Sequence, residues 1–258
     1  VYNDVDTSII GNKALYDMVV PGPGKEQFTV VNTSITASQA QVWKLNQKDA
    51  PIINYDVTDD LGALNWSSDG STLAAMTGGF ATLNAFFLWT KTDHARPKIV
   101  SRPQSDKSLS FFVMIDTIVW SPVDPHLLLI SNTDVALIWD VRKDQPSLIL
   151  SGKTSDDQPV IGKLAWSPNG RYVVASYTAP GDGSSTIQNN PPLLAWDVQT
   201  LLKSGSSPTP QQPALTFSSP NGLQHTQNIL DVDWSPNGKY LATSSFDGTV
   251  LIWNVDGV

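Results

Sequence analysis

The sequence predicts an all-β protein built from a repeated unit of short antiparallel strands, and two observations lead to this fold class. First, all nine tryptophans lie on two marks that alternate along the chain. One mark is a Trp followed by Ser and a turn, at Trp66, Trp120, Trp166 and Trp234, and the other is a Trp that ends an apolar run, at Trp43, Trp89, Trp139, Trp196 and Trp253. Second, the marks return about every forty to fifty residues, which is the signature of a repeat architecture.

The last copy shows the strands of one unit most clearly. Residues 229–234 form a β-prone run, and Ser235-Pro236-Asn237-Gly238 supplies the chemistry of a turn. Residues 240–244 and 249–255 are two further β-prone runs, separated by a tight turn at Phe246-Asp247-Gly248. These runs are too short for helices and too rich in β-branched and aromatic residues. They therefore predict three consecutive antiparallel strands.

A fourth strand follows the second Trp in the earlier copies, and it opens with Pro. Such a Pro suits an outer edge strand, where the missing N–H breaks no ladder bond. These segments are residues 51–53, 97–100, 146–150 and 213–217. Four antiparallel strands per repeat make one blade of a β-propeller.

The chain resembles the WD-repeat β-propeller family over nearly its whole length. The stretches that carry the resemblance are Val-Asp-Trp-Ser-Pro-Asn-Gly-Lys-Tyr-Leu-Ala-Thr at residues 232–243 and Asp-Gly-Thr-Val-Leu-Ile-Trp-Asn at residues 247–254. The resemblance implies a non-catalytic scaffold that binds a peptide or another protein with the top face of the propeller. Fold alone would not imply this function.

Five blades are predicted in one domain spanning residues 1–258, at approximately residues 14–56, 60–101, 114–151, 160–218 and 228–258. The first copy is degenerate, with Val20 in place of the first Trp. The last copy ends after its third strand, and residues 1–10 are expected to pair with it and close the ring. Most members of the family have seven blades and this chain does not begin with Met. A fragment of a larger ring is therefore the alternative.

Composition excludes several classes of function. A net charge of −8 and a pI near 4.6 argue against a nucleic-acid surface, which needs a basic stripe. The absence of cysteine excludes disulfides and thiol catalysis. The sequence has no long apolar run that predicts a membrane span. The charged fraction of 16 % is low and favours an exported bacterial domain over a cytosolic one. We expect a monomer without cofactor or metal.

The resemblance implies a hydrogen-bonded tetrad in the last blade, formed by His225, Ser245, Asp247 and Trp253. Asp247 is expected to orient His225, which bonds Ser245, which in turn reaches the indole N–H of Trp253. A Ser-His-Asp set could also serve a hydrolase. However, the chain has no Gly-x-Ser-x-Gly elbow and the Ser is placed to face the Trp. A structural role is therefore favoured.

The candidate partner-binding residues lie in or near long loops that are predicted on the top face. Phe246 is an aromatic residue on a turn beside His225, and Arg102 and Lys107 would steer an acidic segment. The remaining candidates are Gln227, Phe111 and Val113. The segment 202–213, rich in Ser and Pro, is expected to be a flexible excursion on the opposite face.

The alternative function is a small-ligand-binding or hydrolytic propeller. Its polar residues would converge on the central channel from the inner strands. The candidates are Asp17, Asp116, Lys163, Asp231 and Asp233, which follow no repeated pattern.

Overall fold

The structure is a computed structural model. It describes residues 16–33, 38–45, 50–57, 61–77, 85–93, 97–101, 117–131, 136–143, 146–151, 160–178, 193–205, 209–217, 222 and 224–255. The chain divides into two compact units, Val1–Lys107 and Ser108–Val258. The expected closing strand at residues 1–10 lies outside the described residues.

The first unit contains two four-stranded antiparallel sheets in which the strands follow chain order. Sheet A consists of β1 (Tyr16–Pro21), β2 (Gln27–Thr33), β3 (Ser38–Lys44) and β4 (Ile53–Val57). Sheet B consists of β5 (Leu61–Trp66), β6 (Thr72–Thr77), β7 (Ala85–Thr90) and β8 (Lys98–Ser101).

The second unit contains three sheets, and a short helix follows the third strand of the middle one. Sheet C consists of β9 (Thr117–Trp120), β10 (Leu127–Ser131), β11 (Ala136–Asp140) and β12 (Leu148–Leu150), with one further strand described below. Sheet D begins with β13 (Val160–Trp166), β14 (Tyr172–Thr178) and β15 (Leu193–Asp197). The chain continues through α1 (Val198–Lys203), β16 (Pro210–Gln211) and β17 (Leu215–Phe217), the outer strand of sheet D. Sheet E shows β18 (Ile229–Trp234), β19 (Tyr240–Ser245) and β20 (Val250–Asn254).

The turn after the first Trp explains why Ser follows it. The Ser167 hydroxyl donates to Asn169 Oδ1 at 2.7 Å and accepts from the backbone N–H of Tyr172 at 2.8 Å. Gly170 then takes a φ of +65°, a left-handed conformation that glycine adopts without strain. The same bonds recur at Ser67 with Asp69 and at Ser235 with Asn237. This local motif sets the hairpin between the first two strands of each of these sheets.

Consecutive sheets pack face to face within each unit. Sheet A packs on sheet B through Val31, Val42, Tyr55, Leu64 and Trp89, among others. In the second unit, sheet C packs on sheet D, and sheet D packs on sheet E through a separate cluster. Each contact buries aliphatic and aromatic side chains, which stabilises the stack by about 25 cal/mol per Å² of apolar surface removed from water.

The described residues of the segment 202–213 take part in secondary structure that its composition did not predict. Asp197 caps α1 by accepting from the backbone N–H of Thr200 at 2.9 Å, and β16 pairs in parallel with β12 as the fifth strand of sheet C. The carbonyl oxygen of Gln211 accepts a hydrogen bond from Trp196 Nε1 at 3.0 Å. The described residues of this segment, called the strap below, therefore contact both sheet D and sheet C. Its anchoring groups are backbone atoms, which composition does not reveal.

Candidate functional site

A buried hydrogen-bonded network centres on His225, whose side chain is 3 % exposed. His225 Nε2 lies 2.8 Å from Thr243 Oγ1. His225 Nδ1 lies 3.2 Å from Asp247 Oδ2 and 3.1 Å from Thr249 Oγ1. Trp253 Nε1 donates to Thr243 Oγ1 at 3.0 Å. The network thus connects a loop, the turn between β19 and β20, and the middle of sheet E.

The strand register brings the indole and the hydroxyl together. Trp253 on β20 pairs with Leu241 on β19, and Thr243 lies two residues further along β19 on the same face. An indole in this position reaches the diagonal neighbour of its cross-strand partner. The backbone N–H of Thr226 donates to Asp247 Oδ2 at 2.8 Å, which ties the loop that carries His225 to the turn.

The structure corrects the place of Ser245 in the expected tetrad. The hydroxyl between His225 and Trp253 belongs to Thr243, not to Ser245. Ser245 lies on the same face of β19 but one step further from Trp253, beyond the reach of the indole. Its hydroxyl instead donates to the carbonyl of Gln227 at 3.0 Å and accepts from the backbone N–H of Asp247 at 3.2 Å. Period-two alternation places Thr243 and Ser245 on one face alike, and it is the register that sets Leu241 opposite Trp253 which selects Thr243.

When the imidazole is neutral, the number of donors and acceptors on each group determines where the protons of the network lie. The oxygen of Thr243 accepts from the indole of Trp253, so the Thr243 hydroxyl proton is free to donate to His225 Nε2. The proton of His225 is then on Nδ1 and donates toward Asp247 or Thr249. Each polar atom of the chain Trp253–Thr243–His225–Asp247 consequently has a partner.

Asp247 is the anionic end of this network. Burial alone would raise the pKa of its carboxyl group. The hydrogen bonds from the Thr249 hydroxyl, from the backbone N–H groups of Thr226 and Thr249, and from His225 outweigh burial and hold the pKa well below its usual range. The carboxylate is therefore charged across the physiological pH range.

The Asp247–His225–Thr243 geometry is similar in outline to that of a nucleophilic triad. The Thr243 side chain is 1 % exposed, and its oxygen is already held by the Trp253 indole. An acyl carbon cannot approach an oxygen enclosed in this way, so the arrangement can fix the turn but cannot attack a substrate. Among the described residues there is no group of three His, Cys, Asp or Glu side chains that could hold a metal ion.

The candidate partner-binding residues that the structure describes are Phe246 on this turn and Gln227 in the loop before β18. The Phe246 side chain is 57 % exposed, while its backbone N–H donates to the carbonyl of Asn228 at 3.1 Å. Gln227 lies beside it with its carbonyl held by Ser245. Arg102, Lys107, Phe111 and Val113 lie outside the described residues. The structure thus brings Phe246 and Gln227 to one end of sheet E.

The channel candidates form no such cluster where the structure describes them. Lys163, Asp231 and Asp233 are exposed on the first strands of sheets D and E. Asp231 and Asp233 each accept from the backbone N–H of the following residue. Asp116 lies outside the described residues, as does the side chain of Asp17.

Comparisons with known proteins agree with the repeat and the fold. Residues 216–254 match the family model described as "WD domain, G-beta repeat". The chain is 24 % identical to the protein LST8 homolog of Drosophila melanogaster, over 80 % of this chain and 56 % of that protein. It is 27 % identical to DDB1- and CUL4-associated factor 13 of Xenopus laevis, over 55 % of this chain and 25 % of that protein. The chain thus spans about half, or less, of these relatives.

A solved structure shows the same fold. The β-propeller domain of Myceliophteria thermophila Cps50 (Swd1) superposes with a TM-score of 0.65 at 12 % identity, over 96 % of this chain and 69 % of that domain. The β-propeller fold class predicted from the sequence is confirmed. These relatives are eukaryotic, so the bacterial assignment is not supported. The described part of the chain contains no helix with the length and hydropathy of a membrane span.

Proposed function

We propose, from the premise that this chain belongs to the WD-repeat β-propeller family, that it is a non-catalytic protein-interaction scaffold. Its binding surface lies around the turn between β19 and β20, at the end of sheet E that carries Phe246. The partner is another protein or a peptide. No cofactor takes part.

The observation that carries this proposal is an exposed aromatic side chain on a fixed turn. The backbone N–H of Thr226 donates to Asp247 of the turn, and the Ser245 hydroxyl donates to the carbonyl of Gln227. Phe246 itself is 57 % exposed. A rigid aromatic offers contact area to a partner with little loss of conformational entropy on binding. Burial of this side chain by a partner is therefore an efficient source of affinity.

Two further observations support a scaffold over an enzyme. The chain of hydrogen bonds that runs from Asp247 through His225 ends at Thr243, whose hydroxyl is enclosed and does not contact solvent. One relative, DDB1- and CUL4-associated factor 13, is by its name a protein that associates with other proteins. A comparable role in an assembly suits a chain of the same family.

Site-specific photo-crosslinking tests this function. A photoreactive phenylalanine analogue placed at position 246 should crosslink to a discrete partner in extracts of the source organism. The same analogue at Ile99, which is 53 % exposed on β8, is the matched control. Crosslinks that form equally from both positions, or from neither, would argue against a binding surface at the β19–β20 turn.

A further inference from the structure

Ser-Pro dipeptides lie in the hairpin turns of sheets C, D and E, and the fold engages the hydroxyl of each. They begin at Ser121, Ser167 and Ser235. Ser121 and Ser167 are 1 % and 2 % exposed. The Ser235 hydroxyl donates to Asn237 Oδ1 and accepts from the backbone N–H of Tyr240. A hydroxyl held in this way is not available to an enzyme while the turn is folded.

Thr209 of the strap also precedes a proline, but its surroundings are different. Thr209 and Pro210 are both exposed. The shorter hydrogen bond of the Gln211 carboxamide, from Nε2 at 2.7 Å, goes to the carbonyl of Thr209. The Thr209 hydroxyl oxygen lies 3.3 Å from the same nitrogen, beyond the usual range for such a bond. It has no other hydrogen bond among the described residues, so this hydroxyl is accessible.

The backbone presents the Thr-Pro dipeptide in an extended conformation at the start of β16. This strand pairs with β12 over two residues, with Pro210 opposite Ile149 and Gln211 opposite Leu150. Protein kinases bind the residues around the acceptor hydroxyl as an extended segment, and proline-directed kinases require Pro directly after it. Because the pairing is so short, its local opening requires little free energy compared with unfolding of a sheet. The strap can therefore enter an enzyme while the sheets stay folded.

We propose that Thr209 is a phosphorylation site of a proline-directed protein kinase. The Thr209 hydroxyl oxygen attacks the γ-phosphorus of a nucleoside triphosphate, and an Oγ1–P bond forms. The bond between the γ-phosphorus and the β-phosphate oxygen breaks, the nucleoside diphosphate leaves, and the hydroxyl proton passes to a base of the kinase. The product adds about 1.5–2 negative charges at pH 7 to the surface of the strap. Its oxygens lie beside the carboxamide of Gln211, which already contacts Thr209.

Phosphopeptide mapping of the folded chain tests this site. The full-length protein is incubated with ATP in an extract of the source organism, and the modified residues are identified by mass spectrometry. Thr209 should carry phosphate, while the Ser-Pro hydroxyls of the three hairpin turns serve as internal controls and should not. Absence of phosphate from Thr209 would overturn the proposal. Phosphate on Ser207 alone, which precedes Pro208 outside the described residues, would overturn it too.

Two variants separate recognition of the Thr-Pro dipeptide from simple exposure. Pro210→Ala should lose the phosphate, because the kinase no longer finds Pro after the acceptor, whereas Thr209→Ser should retain it. Both substitutions are at exposed residues, and unchanged tryptophan fluorescence checks that the sheets stay folded. Phosphate that persists on Thr209 in Pro210→Ala, or that forms on the turn serines as fast as on Thr209, would overturn the proposal. The outcome is independent of the function proposed for the Phe246 turn.

Discussion

Sheets D and E provide different hydrogen-bond acceptors for the same indole group. Each carries a Trp at the end of its third strand whose indole N–H needs an acceptor. In sheet D, Trp196 donates to the backbone carbonyl of Gln211 in the strap. In sheet E, Trp253 donates to Thr243, because a hydroxyl stands where sheet D has Ala175. The repeated Trp therefore requires a hydrogen-bond acceptor in both sheets, and the acceptor differs between them.

The two acceptors belong to different parts of their sheets. The acceptor in sheet D is a main-chain atom of a strap that crosses to sheet C. The acceptor in sheet E is part of a network that also holds the turn carrying Phe246. Of these two sheets, only sheet E therefore uses the hydrogen bond of its Trp indole to stabilise the proposed binding surface.

The largest expected effect is the loss of His225. The His225→Ala variant removes the acceptor of the Thr243 hydroxyl proton and one of the donors to Asp247, and should lower the free energy of unfolding by about 1–3 kcal/mol. Chemical denaturation followed by tryptophan fluorescence measures it. His126→Ala is the control, since His126 is 46 % exposed at its side chain and should change stability by about 0.5 kcal/mol or less. Equal stabilities of the two variants would contradict a structural network at His225.

A second prediction compares the tryptophans of the first strands. Trp66 Nε1 donates to Thr29 Oγ1 at 2.8 Å, whereas Trp234 Nε1 is buried without a partner among the described residues. Val174 holds the position in sheet D that Thr29 holds in sheet A, because each pairs with the residue just before the Trp of the third strand. Thr29→Val should therefore destabilise the protein by about 1–2 kcal/mol.

Val174→Thr is the reciprocal change and should cost less than an ordinary buried Val→Thr substitution, because its hydroxyl can accept from Trp234. Thermal unfolding of both variants checks the pair. A large loss in Val174→Thr with no loss in Thr29→Val would show that the two indole environments are not equivalent.

The third prediction concerns pH. The folded state holds the pKa of Asp247 below its unfolded value, so the carboxylate contributes stability above the unfolded pKa. That contribution is lost as the pH falls through the acid range below the unfolded pKa toward the depressed folded pKa. The Asp247→Asn variant should be less stable at neutral pH and should show a shallower loss of stability on acidification. Denaturation series at several pH values measure both slopes, and parallel slopes would contradict the assignment.

The smallest effect expected on affinity concerns two basic residues outside the described part of the chain. Charge reversal at Arg102 and Lys107 should slow association with an acidic partner and flatten its salt dependence, because surface charges act mainly on the encounter. Stopped-flow association at several ionic strengths measures both. An unchanged association rate would separate these two residues from the binding surface.

The sequence predicted the repeated sheets because the tryptophan marks, the turn residues and the strand lengths all have local physical causes. It also identified His225, Asp247 and Trp253, which the structure brings into one network. It failed to choose among the hydroxyls of β19, since that choice depends on the pleat and on the register with β20. It also missed the strap, because the carbonyl of Gln211 and the pairing of β16 with β12 are backbone interactions at long range.

The affinity of the crosslinked partner for the Phe246→Ala variant tests the central claim most directly. Titration calorimetry with the purified partner should give a dissociation constant about 5–30-fold weaker than that of the unaltered protein, a loss of about 1–2 kcal/mol. The free energy of unfolding should be unchanged, and Ile99→Ala should bind as the unaltered protein does. An unchanged dissociation constant for Phe246→Ala would contradict a binding surface at the turn between β19 and β20.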